Sequence, residues 1–558
     1  MQSKWWGWGE ASKRYSLDRK PKFWPFLEAQ IGPLAEPPAR PVAREEIALP
    51  ASRLSADDRA ALQMILGRDG LSLEAPDRIG HSYGKSYHDL IRIRRGEVPH
   101  PPDAVLWPRT HDEVLRVLEF AAARRWAVIP FGGGTSVVGG VEVPPHLADR
   151  IFLSLDLARL NRLLEVDAES RLARVEAGIL GPDLEAALQA HGMTLGHYPQ
   201  SFEFSTLGGW VATRSAGQQS SKYGKIEDMV AGLELATPGG MLSVASLPAR
   251  AVGPDLNGLV TGSEGIYGVI TEVTVRIHPL PTQRDVLGIL LPSFEEGVEV
   301  VRTLIREGPS PAIMRLSDAS ETQALMALSE APKGALHAFV GRLAKKVLRL
   351  RGAATPQAVM LILGYEGSHS EVTAGWDRAR GVIREHEGLS LGRSPGESWY
   401  RSRFELPYLR DTLLDRGIMV DTFETAAPWS RLADLYEGIR QATQSALERT
   451  SGQGHLMCHL SHAYPDGASL YFTFTARQSE DPLAQWRAVK QAATDAIIAG
   501  GGALSHHHAV GLDHAPWMPQ AIGDTGLLAL DGVKRALDPQ DTMNPGKLLG
   551  RHRAPGLN

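Results

Sequence analysis

Pro130-Phe131-Gly132-Gly133-Gly134-Thr135-Ser136 follows directly on the apolar segment Trp126-Ala127-Val128-Ile129. A buried strand that runs into three glycines can turn sharply, because residues without Cβ reach backbone conformations closed to other side chains. Successive N–H groups then converge on one point, a nest that suits a pyrophosphate, and Thr135 and Ser136 add hydroxyl donors. Alone, three glycines also read as a plain flexible turn. Two more small-residue segments follow in order, Phe204-Ser205-Thr206-Leu207-Gly208-Gly209 and Gly262-Ser263-Glu264-Gly265, and they favour the phosphate reading. The nest is not the dinucleotide fingerprint G-x-G-x-x-G, and no Lys-Ser/Thr pair makes it a Walker loop. A nucleotide held here needs another fold.

Outward from the nest, strand-like Ala104-Val105-Leu106-Trp107 precedes a helix that starts after Thr110, which returns to the strand Ala127-Val128-Ile129. Segments 151–155, 171–175 and 268–275 read as further strands, and Gly181-Pro182-Asp183 opens a helix reaching about Ala190. The expected organisation is an arm of helices and aromatics over 1–100, an α+β cofactor domain over 101–282, an α+β substrate domain over 283–520, and a C-terminal segment over 521–558 that returns to the cofactor domain. That last segment contains a helix expected at Leu527 to Leu537. Trp5, Trp6, Trp8 and Trp24-Pro25-Phe26 read as aromatics of the arm packed onto another domain.

The chain has 558 residues, too many for one core. Its net charge of −5 gives no reason to expect a nucleic-acid partner. A lone cysteine, Cys458, excludes an internal disulfide and fits a reducing compartment. No stretch resembles a signal peptide or a membrane span, so a cytoplasmic protein is expected, peripheral to the inner face of a membrane at most.

The second half carries the chemistry. Leu504 through Val510 reads as a strand, which places His506 and His508 on one face and His507 on the other. Neutral imidazoles there can take and return a proton. A zinc site with His462 or His514 is the rival reading, but no carboxylate or cysteine set at standard spacing supports it, so no metal is expected. Arg315, in the short strand Ile313-Met314-Arg315-Leu316, either grips a phosphate or carboxylate with its fork or makes a strand-edge salt bridge. Tyr471, in Leu470-Tyr471-Phe472-Thr473-Phe474, is either a core aromatic or a site hydroxyl. Arg342, Lys345, Lys346, Arg349 and Arg351, interleaved with leucines and Val347, suggest a basic amphipathic helix. It would touch an anionic membrane surface or serve as a solvated face.

The nest, the Phe-Ser-Thr-Leu-Gly-Gly segment and Gly-Ser-Glu-Gly-x-x-Gly-Val-Ile-Thr-Glu resemble the FAD-binding domain of the vanillyl-alcohol-oxidase type. The fold class this implies is α+β, a two-subdomain FAD-binding domain with an α+β substrate (cap) domain. The resemblance implies a cofactor site built from Pro130, Phe131, Gly132, Gly133, Gly134, Thr135 and Ser136. Gln200, Ser201, Phe202, Glu203, Phe204, Ser205 and Thr206 would continue it, with Thr213, Arg214, Ser215 and Ala216. Glu264, Gly265, Ile266, Tyr267, Gly268, Val269 and Ile270 complete it. Relatives of this type usually attach FAD through a histidine in or near the nest; this nest has none, so non-covalent FAD is expected.

Beyond that domain the chain resembles the alkyldihydroxyacetonephosphate synthase family almost end to end. Lys4-Trp5-Trp6-Gly7-Trp8-Gly9, Pro407-Tyr408-Leu409-Arg410-Asp411, Phe423-Glu424-Thr425-Ala426-Ala427-Pro428-Trp429 and Ser505-His506-His507-His508 are similar to its signatures. The resemblance implies exchange of the acyl group of acyl-dihydroxyacetone phosphate for a long-chain alcohol, with the flavin as an electrophilic trap and no net redox change. By the same resemblance, Tyr471, the proton-handling His506, His507 and His508, and Arg315 are catalytic. Arg410 and Thr422 bind substrate, and a homodimer is the implied assembly. Gln200, Ile266-Tyr267 and Ser469 depart from the family's residues without removing a needed group. Two other readings stay open. One is an FAD-dependent 2-hydroxy-acid dehydrogenase or oxidase, to which the ending Asn544-Pro545-Gly546-Lys547-Leu548 also corresponds. The other is a non-catalytic lipid-binding scaffold.

Overall fold

The computed structural model describes residues 4–34, 40–330 and 356–550. The basic run from Arg342 to Arg351 lies outside the described residues. Among the described residues no helix is long and apolar enough to cross a membrane.

Four strands make the first sheet: β1 (Leu71–Ser72), β2 (Ala104–Leu106), β3 (Ala127–Phe131) and β4 (Phe152–Asp156), in the order β1-β2-β4-β3. β2 and β3 both run parallel to β4. The crossover helix His111–Ala123 begins at Thr110, whose side chain accepts the Glu113 N–H, a cap worth about 1 kcal/mol. It buries Val114, Val117, Leu118 and Ala121, an i, i+3, i+4, i+7 stripe, against this sheet. β5 (Leu163–Asp167) and β6 (Leu172–Glu176) open the second sheet. β7 (Met193–Thr194) stands apart from it, and β8 (Val230–Thr237), β9 (Gly240–Val244) and β10 (Val269–Arg276) complete an antiparallel sheet in the order β5-β6-β10-β8-β9. β11 (His278–Pro279) pairs with β7 and leads out of this half.

The second half is one antiparallel sheet of seven strands: β12 (Gln283–Leu291), β13 (Ile313–Ser317), β14 (Val359–Gly367), β15 (Leu389–Gly392), β16 (Ile418–Pro428), β17 (Gly454–Ala463) and β18 (Gly467–Arg477). Its order is β15-β12-β14-β13-β17-β18-β16. The two faces of this sheet differ by the strand period of two. On β17 and β18, Leu456, Cys458, Leu460, Leu470, Phe472 and Phe474 pack under helices Trp429–Ser451 and Pro482–Ala499. The alternate residues, His455, Met457, His459, Tyr471 and Thr473, face the glycine-nest half across a cavity.

The first hundred residues divide between both halves. Leu54, Leu62 and Leu66 join the core of the first half, Tyr87, Leu90 and Ile93 join that of the second, and the helix Phe23–Ile31 packs on Leu409, Leu413 and Val420. Trp8 is buried with its ring edge-on to Phe204, at 5.9 Å. At the other end, the terminal helix is longer than its sequence suggests, Met518–Leu537, broken at Gly523 (φ 72°). Past it, Val128 donates to Thr542 O at 2.7 Å and accepts from Asn544 N at 2.8 Å, so the chain end lies along β3.

Candidate active site

One cavity of ≈ 490 Å³ runs between the halves. The nest forms part of its wall, with Pro130 through Ser136 all lining it. Gly134 has φ +62°, and a Cβ on Gly133 would stand 1.7 Å from Phe204 O, so glycine is favoured at the first by its left-handed backbone and required at the second by close backbone approach. Among the described residues no protein group takes up the N–H groups of Gly132, Gly133, Gly134, Thr135 or Ser136. Backbone donors left open onto a cavity fit a pyrophosphate.

Gln200, Ser201, Ser205, Thr206, Thr213, Ser215 and Ala216 line the same cavity, as do Glu264, Gly265, Gly268 and Ile270. Seven expected cofactor residues send their side chains elsewhere. Phe202 stacks on Phe404 at 5.4 Å, Glu203 reaches Lys13, and Phe204 meets Trp8. Arg214 ends the helix Leu207–Thr213 in a left-handed turn (φ 51°), half-exposed toward Glu227. Ile266, Tyr267 and Val269 turn into the hydrophobic core, where the Tyr267 hydroxyl donates to Leu530 O at 3.3 Å. A contiguous segment cannot present every side chain to one ligand, and the apolar members pack inward.

The histidine run is not a strand. Residues 503–510 form an irregular loop with three consecutive N–H groups pointing one way. Its organiser is Glu424 on β16. Oε2 accepts His506 N at 2.6 Å, and Oε1 accepts His507 N at 3.1 Å, His508 N at 2.9 Å and Ser505 Oγ at 2.7 Å. A strand sends alternate N–H groups to opposite sides, so this carboxylate and the strand reading exclude each other. His507 and His508 therefore both line the cavity, while His506 turns away to Tyr464, with Nε2 and the tyrosine oxygen 2.7 Å apart. From the other half, Glu264 accepts Val510 N at 2.8 Å and Gly511 N at 2.7 Å.

Burial would raise the Glu424 carboxyl, but the neighbouring imidazoles and the Ser505 hydroxyl hold it well below the usual range. Burial pushes His507 down to about 3 and His508 to about 4, and drives His506 and His462 well below ordinary histidine. These rings are neutral near pH 7.

β18 places Tyr471 between neighbours fixed by register: Glu424 is its cross-strand partner on one side and His459 on the other. Its ring stacks on His459 (4.8 Å) and His507 (5.8 Å) and meets His508 edge-on (5.3 Å). Its hydroxyl donates to Thr422 Oγ1 at 3.1 Å, and burial pushes it up to about 12. Arg315 lines the cavity but spends Nη2 on Glu321 Oε1 (2.8 Å) and His459 Nδ1 (2.9 Å). Burial opposes the Glu321 charge, yet Arg315 and His459 hold that carboxyl well below its usual range. Arg410 is more available. Nη1 donates to Lys85 O at 2.7 Å, and its buried Nε has no partner. Burial lowers its pKa, a cost that an incoming anion would remove. Beyond Arg410 the cavity becomes apolar along Phe23, Phe26, Leu27, Leu325, Leu328 and Leu413.

Reading the sequence by segments misses Glu424 as an anchor, and misses Glu321, His459 and Tyr464. Nothing local marks them; the strand register brings them in. The ring nitrogens of His462, His506 and His507 lie within 4.8 Å of one another. His462 is already engaged at both nitrogens, by Gly217 O and by the Ser461 and Ser469 hydroxyls.

Residues 102–246 match the FAD binding domain family, and residues 280–548 match the C-terminal domain of FAD linked oxidases. The chain is similar to the alkyldihydroxyacetonephosphate synthase of Trypanosoma brucei brucei, 37% identical over 88% of this chain and 80% of the relative. A solved structure of an alkyldihydroxyacetonephosphate synthase superposes with a TM-score of 0.85 at 32% identity, covering 98% of this chain and 99% of the other. The substrate-bound crystal structure of p-cresol methylhydroxylase superposes at 0.66 with 16% identity, covering 90% and 98%, a likeness of fold alone.

Proposed function

The chain belongs to the alkyldihydroxyacetonephosphate synthase family, and on that premise we propose that its cavity exchanges the acyl group of an acyl-dihydroxyacetone phosphate for a long-chain alcohol. The products are an alkyl-dihydroxyacetone phosphate and a fatty acid, and FAD is the cofactor. The observation that carries this reading is the union, in one cavity, of the open nest, the Tyr471–histidine cluster, Arg410 with its free buried Nε, and an apolar arm.

FAD, when bound, supplies an electrophilic ring against which the substrate carbon is held. The nest N–H groups would take its pyrophosphate. The remaining chemistry belongs to this chain's side chains. Arg410 takes the substrate phosphate, since a guanidinium with a free buried donor is matched by a phosphate oxygen. The apolar arm receives the hydrocarbon chain. His507 and His508 hold and return protons at the reacting carbon and at the alcohol oxygen. Their low proton affinity rises when the phosphate anion enters, because a nearby negative charge favours imidazolium. Tyr471 donates from a hydroxyl that stays protonated at neutral pH. Arg315, already committed to Glu321 and His459, holds the wall beneath Tyr471.

The test is a product assay without an electron acceptor. Palmitoyl-dihydroxyacetone phosphate and a labelled long-chain alcohol are incubated with the FAD-loaded protein and the products weighed by mass spectrometry. Labelled ether plus free fatty acid is expected, and acid or heat denaturation is expected to free the flavin from the chain. No ether, together with bleaching of the flavin by a 2-hydroxy acid and its recovery with a dye, would turn the reading to a hydroxy-acid dehydrogenase.

A further inference from the structure

The exchange proposed above releases a proton. The ester C–O bond at the dihydroxyacetone carbon breaks, the alcohol O–H breaks as the ether C–O bond forms, and the fatty acid leaves ionised at neutral pH. Atoms and charge balance only if one proton per turnover reaches solvent. The apolar arm, filled by a hydrocarbon chain, offers it no path.

We propose that His507, His506 and Tyr464 form the proton exit, a hydrogen-bonded line leading from the cavity wall to the surface behind the histidine loop. The proposal rests on the ether-forming reading. His507 lines the cavity, and its Nε2 has no protein partner among the described residues. Its Nδ1 lies 2.9 Å from His506 Nδ1. On the far side of that ring, Nε2 lies 2.7 Å from the Tyr464 hydroxyl. Tyr464 is partly exposed. With Nδ1–H on His507 and Nε2–H on His506, every link points outward. A proton taken at His507 Nε2 releases one from Nδ1 to His506 Nδ1. His506 then passes its Nε2 proton to the Tyr464 oxygen, and the tyrosine's own proton goes to water. No ring need become a long-lived cation, which suits imidazoles as deeply buried as these.

The surroundings keep the line in register. Glu424 holds the His506 and His507 backbone N–H groups, Lys225 Nζ donates to His506 O at 2.8 Å, and the Tyr464 ring lies 5.7 Å from that of His506. Burial, and then the charges of Glu227, Asp228, Glu424 and Asp466, oppose ionisation of the Tyr464 phenol, while His462 faces His506 at 5.1 Å between ring centres. Tyr464 is not among the residues that line the cavity and acts only through His506.

Tyr464→Phe keeps the ring and removes the relay hydroxyl. In the FAD-loaded full-length protein we expect kcat for ether formation to fall about tenfold, short of the roughly 100-fold or more lost with a group that acts on the reacting atoms themselves. KM and the flavin spectrum should stay unchanged and the solvent deuterium isotope effect should grow. Added imidazole buffer should restore rate in the variant but not in wild type. His506→Gln cuts the line at its middle and should reproduce the same pattern, which guards against a folding defect in one variant. Wild-type kcat and isotope effect in both variants would overturn the relay while leaving ether synthesis intact. Absence of ether from the wild-type control would overturn the functional reading, and the relay with it.

Discussion

The histidine loop hangs between two buried carboxylates, and they differ. Glu424, at its start, takes four donors from Ser505 to His508 and stays well below the normal carboxyl range. Glu264, at its end, takes two N–H groups, and burial outweighs them, so its carboxyl is pushed up to about 7. Both are buried, so burial alone does not separate them. The three imidazoles and the Ser505 hydroxyl beside Glu424, which Glu264 lacks, decide which keeps its charge. The substrate half thus grips the loop with a fixed charge, and the flavin half with a group poised to gain or lose one.

The sharpest way to break that contrast is Glu424→Gln. The amide nitrogen would face N–H groups that need an acceptor, and the three imidazoles would lose the charge beside them. We expect ether formation to fall about 100-fold, the low end of a lost acid–base group, with FAD still bound because the nest lies in the other half. The melting temperature should also drop, since buried donors are stranded at 1–3 kcal/mol each. Activity within tenfold of wild type would cut the link between Glu424 and the histidines.

Glu264→Gln tests the weaker end, and pH gives it a sign. The folded carboxyl binds its proton more tightly than the unfolded one, so wild-type stability from this group is present at low pH and lost as pH rises from the ordinary carboxyl value of 4.5 through about 7. The swing is on the order of 3 kcal/mol by the usual conversion. Glu424 runs the other way: its contribution holds above 4.5 and fades as pH falls toward its lower folded value. Melting curves of wild type and Glu264→Gln should therefore converge or cross between pH 5 and 8, with the variant gaining relative to wild type as pH rises. Parallel curves would show that Glu264 does not titrate there. Activity should fall only several-fold, because the cavity-facing histidines keep their Glu424 anchor.

What the sequence makes legible follows the same division. The nest is local: strand, three glycines and two hydroxyl residues are adjacent in the chain, and the structure puts all seven on the cavity. The alternation that sets Tyr471 and Thr473 toward the cavity and Phe472 toward the core is equally local. The loop that carries the histidines reads as a strand in the sequence but is not one, because its shape is dictated from outside, by a glutamate on β16 that only the β16–β18 register brings beside Tyr471. Glu424 stands within a quoted family signature, yet no spacing in the sequence points it at residues 505–508. Tyr267 is the converse case. It lies inside a segment that does border the cavity, and its ring packs the other way.

The mildest test stays on β16 and asks whether its grip works through the loop alone. Thr422 lies two residues before Glu424 on the same strand face, and there it accepts the Tyr471 hydroxyl at 3.1 Å. Thr422→Val keeps the shape and removes the acceptor; one neutral hydrogen bond is worth about 1 kcal/mol, so kcat should fall roughly fivefold. KM should hold, and Thr422→Ser should restore the rate. A fall as deep as that of Glu424→Gln would make the hydroxyl itself a partner of the reacting atoms. No change would leave Tyr471 oriented by its stacking on His459 and His507, with the strand acting on the reaction only through its carboxylate.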